Sequence, residues 1–150
     1  MKKRWFYILL LTGAVAAFTG YWLFSRKTPD AVIATPFKEF AAADLIRAFE
    51  QNGTQADKVY SGKILRVSGT VTSVDTAGSA VLGSDVFAAA IVIGIDQRHA
   101  ADIQKIQVGD QAVFQGVYTG YEPGGSNPDD LLGSLGGTIQ LRSAGLIRQQ

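Results

Sequence analysis

Few side chains in this chain are of types that do chemistry, and they are thinly spread. His99 is the only histidine and there is no cysteine. A Ser-His-Asp triad or a histidine-based metal cluster would therefore have to rest on His99, whose neighbours in sequence are Asp96, Arg98 and Asp102. No nucleophile stands in a recognisable strained turn to pair with it. His99 therefore reads as a solvent-facing residue at the start of a short helix. Without cysteine, thiol nucleophiles, thiolate metal sites and disulfides are excluded. Asp129-Asp130 follows GYEPGGSNP, but the spacing is not that of a calcium loop. The pair reads as solvated, or as the start of one helical turn in PDDLLGSL. The glycines of GYEPGG do not follow a strand and open a helix, as a phosphate loop requires. The expectation is a non-enzyme with no catalytic residue, no metal ligand and no cofactor.

Recognition chemistry remains. Leu131, Leu132 and Leu135 sit in a glycine-rich loop, with Tyr121 near its start. Leucines in such a loop either tuck onto the domain or form an exposed patch for a protein partner or lipid, and the second use would make them, with Tyr121, a partner-binding surface. A second set is Tyr60, Lys63, Arg66 and Tyr118, near strand ends, where rings could stack bases and cations could follow a phosphate backbone. Charge weighs against that use. The formal net charge is +1, but Lys2, Lys3, Arg4, Arg26 and Lys27 flank one apolar run. Residues 28–150 hold 9 basic and 13 acidic side chains, 9 − 13 = −4. An acidic domain repels phosphate backbones, so nucleic acid is disfavoured as a partner.

The apolar run is residues 5–24, WFYILLLTGAVAAFTGYWLF, twenty residues without a charge. A helix needs roughly 20 such residues to cross a bilayer. Aromatics gather at both ends, as at membrane interfaces. Tyr21 to Phe24 continue the run past the small residues AVAA, so an uncleaved anchor is expected rather than a signal peptide. Three basic residues and the α-amino group precede the run and two follow it, which favours residues 1–4 in the cytoplasm and the domain outside.

The elements that must position the candidate residues follow. Residues 25–40, with Pro29 and Pro36, read as a linker with a possible short edge strand at Val32-Ile33. Residues 41–150 form the domain. A helix over Ala42–Gln51 is expected from the stripe Leu45, Ile46, Phe49. Asn52-Gly53 ends it, with Gly53 as a left-handed exit. A further turn covers Gln55–Tyr60, with Thr54 and Asp57 as a capping pair. From Lys63 the period becomes two: Leu65, Val67, Gly69 and Val71 alternate with polar residues. Val74 is out of phase, so a bulge is expected near Thr72-Ser73, and Gly69 suggests a tight bend. Strands follow at Ala80–Leu82 and Phe87–Ile95, then a helix over Gln97–Ile106 and a turn at Val108–Asp110. A strand over Ala112–Tyr118, a loop from Gly120 to Gly137 and a last strand over Thr138–Ile147 complete the chain. Five short strands with a helix between the third and fourth is the layout of the OB-fold, a five-stranded Greek-key barrel.

The run ADLIRAFEQNGTQADKVYSGKILRVSGTVTSV resembles the opening of the tRNA_anti-like OB-fold family. IQVGDQAVFQGVYTG and TIQLRSAGLI resemble its later strands. The matching positions are Leu45, Phe49, Asn52, Ala56, Asp57, Tyr60, Gly62, Lys63, Val67, Gly69 and Val71, then Gly109, Val113, Gly116, Gly120 and Leu141. The resemblance spans Ala42 to Ile147. It implies a mainly β OB barrel of a kind found in secreted or membrane-anchored bacterial proteins. In two respects the chain departs from the family. Members often carry cysteines in the third and last strands, and Ala144 stands where one is expected. The loop before the last strand is usually short. Together these features imply a single-pass protein of the bacterial inner membrane with its domain on the periplasmic side. It would act as a binding module for a protein partner in an envelope complex. Nucleic-acid or oligosaccharide binding by the barrel is the alternative.

Overall fold

The computed structural model describes residues 30–75, 77–84, 87–124 and 136–147. The expected anchor at 5–24, the pair Asp129-Asp130, and Leu131, Leu132 and Leu135 lie outside the described residues. Among the described residues no helix is long and apolar enough to cross a membrane.

The elements run β1 (Lys38–Ala41), α1 (Ala42–Tyr60), β2 (Ile64–Asp75), β3 (Ser79–Ser84) and β4 (Phe87–Ile95). A 3₁₀ turn (Gln97–His99), α2 (Ala100–Ile103), β5 (Gln111–Glu122) and β6 (Thr138–Leu146) follow. The sheet order is β1-β2-β3-β4-β6-β5, and β5 also pairs with β2. That last pairing closes β2, β3, β4, β6 and β5 into a barrel. β4 and β6 run parallel, joined through α2 and β5. This is the Greek-key closure of the OB-fold.

Alternation builds the core. Leu65, Val67 and Val71 of β2, Leu82 of β3, Ile91 and Ile93 of β4, and Phe114 and Tyr118 of β5 are fully buried. Ile139 and Leu141 of β6 join them. α1 packs against β2, β3, β4 and β5 and so covers one end of the barrel. It inserts Leu45, Ile46 and Phe49, each at most 1% exposed, and each contributes about 1.5–3 kcal/mol of burial. Gly69 has a packing reason: a Cβ there would lie 2.7 Å from that of Ala42, so glycine lets the start of α1 settle on β2.

Several expectations hold. The register slips between Val71 and Ser73, the expected bulge. α1 is kinked at Asn52 (φ −157°, ψ 75°), where the sequence divides it. Gly109 takes φ 96° in the Val108–Asp110 turn. Others are corrected. The short strand falls at Lys38–Ala41, parallel to β2, while Val32-Ile33 lies in a turn. Gly53 is not left-handed. It is glycine because a Cβ there would meet the Tyr121 ring at 2.6 Å. The second half of α1 is capped by Asn52, whose side-chain oxygen accepts from the Gln55 N–H at 3.1 Å, rather than by Thr54 and Asp57. β5 continues through Tyr121 to Glu122, so the connection to β6 begins beyond Glu122.

Candidate functional site

The aromatic residues divide into a set inside the core and a set that runs from the core rim, at Phe40 and Tyr60, out to the surface at Phe37. Phe49, on the inner face of α1, lies 5.3 Å from the Tyr118 ring, 5.0 Å from Tyr121 and 6.1 Å from Tyr60. Tyr118 is fully buried, so it cannot offer its ring to a ligand, and its expected role in base stacking is withdrawn. Its hydroxyl donates to Asp57 at 2.6 Å. Burial first, and then that bond and the Asp57 charge, push the phenol far above its usual value. Tyr121 is half-buried, with its ring against Phe49 and its hydroxyl 2.7 Å from where a Cβ on Gly137 would stand. It holds together α1 and the start of β6. Burial also raises its pKa.

The outer set is exposed at Phe37, 56% accessible. The Phe37 N–H donates to the Ile64 carbonyl at 2.7 Å, which seats it beside the start of β2. Its ring meets Tyr60 edge-on at 6.5 Å, and Phe40 meets Tyr60 at 5.5 Å. Lys63 Nζ stands 5.5 Å from the Phe37 ring and Lys38 Nζ 4.7 Å from the Phe40 ring. The structure therefore brings Tyr60 and Lys63 together, but with Phe37, Lys38 and Phe40 rather than with Tyr118. Arg66 is committed elsewhere: it donates to Glu39 at 2.6 Å and to Gln115 at 2.9 Å. It lines an open groove of about 500 Å³ with Glu39, Phe40, Ser68 and Val113.

Residues 30–37 cross the outside of the barrel as a strap. Gln115 is the one fully buried polar side chain among the described residues. Its amide nitrogen donates to the carbonyls of Ala31, Val32 and Ala34 at 2.6–3.1 Å, while its oxygen accepts from Arg66. The far end is held by Asp30, which accepts from the Val32 N–H at 3.0 Å and lies 2.9 Å from His99 Nε2. His99 also packs on Gly145. The solvent-facing reading of His99 is thus corrected: its partner is 69 residues away in the chain. Asp96 is bound by Arg98 at 2.7 Å and lies well below the usual carboxylate range for that reason.

The Val32 N–H, and then His99 and Arg98, also lower the pKa of Asp30 below its ordinary 3.8. A lowered carboxylate pKa contributes stability that is complete above the unfolded value and is lost as pH falls through the folded one. Proteolysis at the strap is therefore expected to accelerate below pH 3.8, before the barrel unfolds. Asp30→Asn should show faster cleavage at neutral pH and little further change in acid. Equal acid acceleration in the variant would remove Asp30 as the cause.

The outer face of β3 and β4 is of a different kind. Ala80, Leu82, Ile91 and Ile93 point inward, so Ser79, Val81, Gly83, Ala90, Val92 and Gly94 point out, with Val81 opposite Val92. β6 extends the surface through Thr138, Gln140 and Arg142. Among these described residues there is no aromatic ring and one charge, Arg142.

A family model, tRNA_anti-like, matches residues 1–126. The crystal structure of a candidate nucleic acid-binding lipoprotein from Klebsiella pneumoniae subsp. pneumoniae MGH 78578 is similar at 16% identity and a TM-score of 0.53. The match covers 73% of this chain and 92% of that one. A candidate aspartyl-tRNA synthetase from Leishmania major Friedlin aligns at 9% identity and a TM-score of 0.42, over 93% of this chain and 26% of that one. No curated protein matches.

Proposed function

The chain belongs to the tRNA_anti-like family, and from that premise we propose that it is a membrane-anchored binding module whose OB barrel docks a protein partner at the cell envelope. The outer face of β3 and β4 carries this reading. OB-folds bind ligands on the strands equivalent to these. Single-stranded nucleic acid asks for stacked rings and a cationic track there. This face instead offers Val81, Val92 and Ala90 bordered by Thr138 and Gln140, with Arg142 as its charge. A small apolar centre with a polar rim is protein-interface chemistry. The net charge of −4 over residues 28–150 points the same way. The anchor rests on the uncharged run at 5–24, and the periplasmic location at the bacterial inner membrane rests on the basic residues around it.

Nucleic-acid binding is the second reading, favoured by the description of the Klebsiella relative. Filter binding of single-stranded oligonucleotides to the purified full chain separates the two. The expected result is no micromolar binding at physiological salt. Micromolar binding that weakens steeply with salt would overturn the protein-partner reading.

A further inference from the structure

From the exposed aromatic-cationic surface and the shortness of the chain that leads to it, we infer that the strap side of the barrel docks on the surface of the bilayer. Its occupant is the headgroup layer of a membrane containing anionic phospholipid. This rests on the anchor reading given above. Residues 25–29 separate Phe24, the last residue of the apolar run, from Asp30, which His99 fastens to the barrel. Fully extended, that connection spans about 20 Å. A domain of about 110 residues has a radius of gyration near 13 Å and so a diameter above 30 Å. The tether is shorter than the domain it holds. Asp30 is itself fastened to His99, and the strap cannot swing away to lengthen the tether. The side of the barrel that carries the strap therefore faces the membrane.

That side has the right chemistry. Phe37 is 56% exposed and Ile33, also on the strap, 83% exposed. Val59, 46% exposed, directly precedes Tyr60. Lys38 and Lys63 stand over the Phe40 and Phe37 rings. Aromatic bodies with ammonium groups beside them suit an interface, where rings enter the headgroup level and lysines pair with lipid phosphates. The acid nearest in sequence, Glu39, is engaged by Arg66 at 2.6 Å. The closure order puts β4 across the barrel from the β2–β5 seam that the strap covers. Docking the strap side thus turns the face of β3 and β4 away from the lipid.

The chain has no cysteine, so single labels are placed cleanly. The full chain carrying Val59→Cys or Val92→Cys is labelled with bimane and reconstituted in vesicles of equal parts phosphatidylglycerol and phosphatidylcholine. The Val59 label is expected to shift to the blue and to be quenched by brominated acyl chains, and the Val92 label to do neither. Adding Lys38→Gln and Lys63→Gln to the Val59→Cys chain should lower its docked fraction relative to free about thirtyfold. These exposed changes leave the fold intact. Three results overturn the inference, each in its own way. Failure of the full chain to float with the vesicles removes the anchor on which it rests. Flotation with identical behaviour of the two labels leaves the anchor and removes the docked face. A Val59 response to a single-stranded oligonucleotide but not to lipid assigns the surface to nucleic acid.

Discussion

Phe49→Ala is expected to destabilise the domain by about 3–5 kcal/mol, the cost of deleting a buried ring that the surroundings only partly refill. Phe49 is 1% exposed and touches three other rings, Tyr60, Tyr118 and Tyr121. Each ring pair adds about 0.5–1.5 kcal/mol beyond its area. The loss spreads beyond α1, because Tyr121 is held by Phe49 on one side and fits against Gly53 and Gly137 on the other. Unfolding in urea, followed by far-ultraviolet circular dichroism, should show a lower midpoint with an unchanged slope. Phe49→Leu, which retains more of the volume, should fall between the two. A loss below about 1 kcal/mol for the alanine variant would contradict the hub.

Gln115→Leu is expected to cost about 3 kcal/mol, through orphaned polar groups rather than lost volume. Leucine fills much the same space but offers neither donor nor acceptor. The carbonyls of Ala31, Val32 and Ala34 lose the one side chain that serves all three, and Arg66 loses an acceptor. The strap can recover its hydrogen bonds from water by peeling away. The variant should therefore be cut within residues 30–37 under native conditions while the barrel survives. Gln115→Glu restores the acceptor but not the donor, so it should be cut as readily. Protection of both variants equal to that of the parent would show that the strap is held by other means.

The barrel strands were legible because their alternation is local. Leu65, Val67 and Val71 announce β2, and the misplaced Val74 announces the bulge. β1 was missed because KEFA, exposed over most of its length, has no period of its own and exists through parallel pairing with β2. The burial of Tyr118 is legible in the same alternation. This residue continues the inward series Ala112, Phe114, Gly116, which places it in the core. His99 and Gln115 could not be read, because their partners lie 69 and more than 80 positions away. Gln115 did leave a signal, an uncharged polar residue in the middle of an apolar strand. Of the candidate residues, Tyr60 lies at the rim of the core with Lys63 near it at the surface, and Phe37, Lys38 and Phe40 join them only through the fold. Gly53 reads from the sequence as a left-handed helix exit, whereas its physical cause is the close approach of the Tyr121 ring.

The central claim is that the outer face of β3 and β4 meets a protein. Site-specific photocrosslinking in intact cells tests it most directly, with the crosslinking residue placed at Val81, at Val92, or at the exposed Gln104 of the turn after α2. The account predicts one discrete protein adduct shared by Val81 and Val92 and absent from Gln104. No adduct at Val81 and Val92, the same adducts from all three positions, or an adduct digested by nuclease would contradict it.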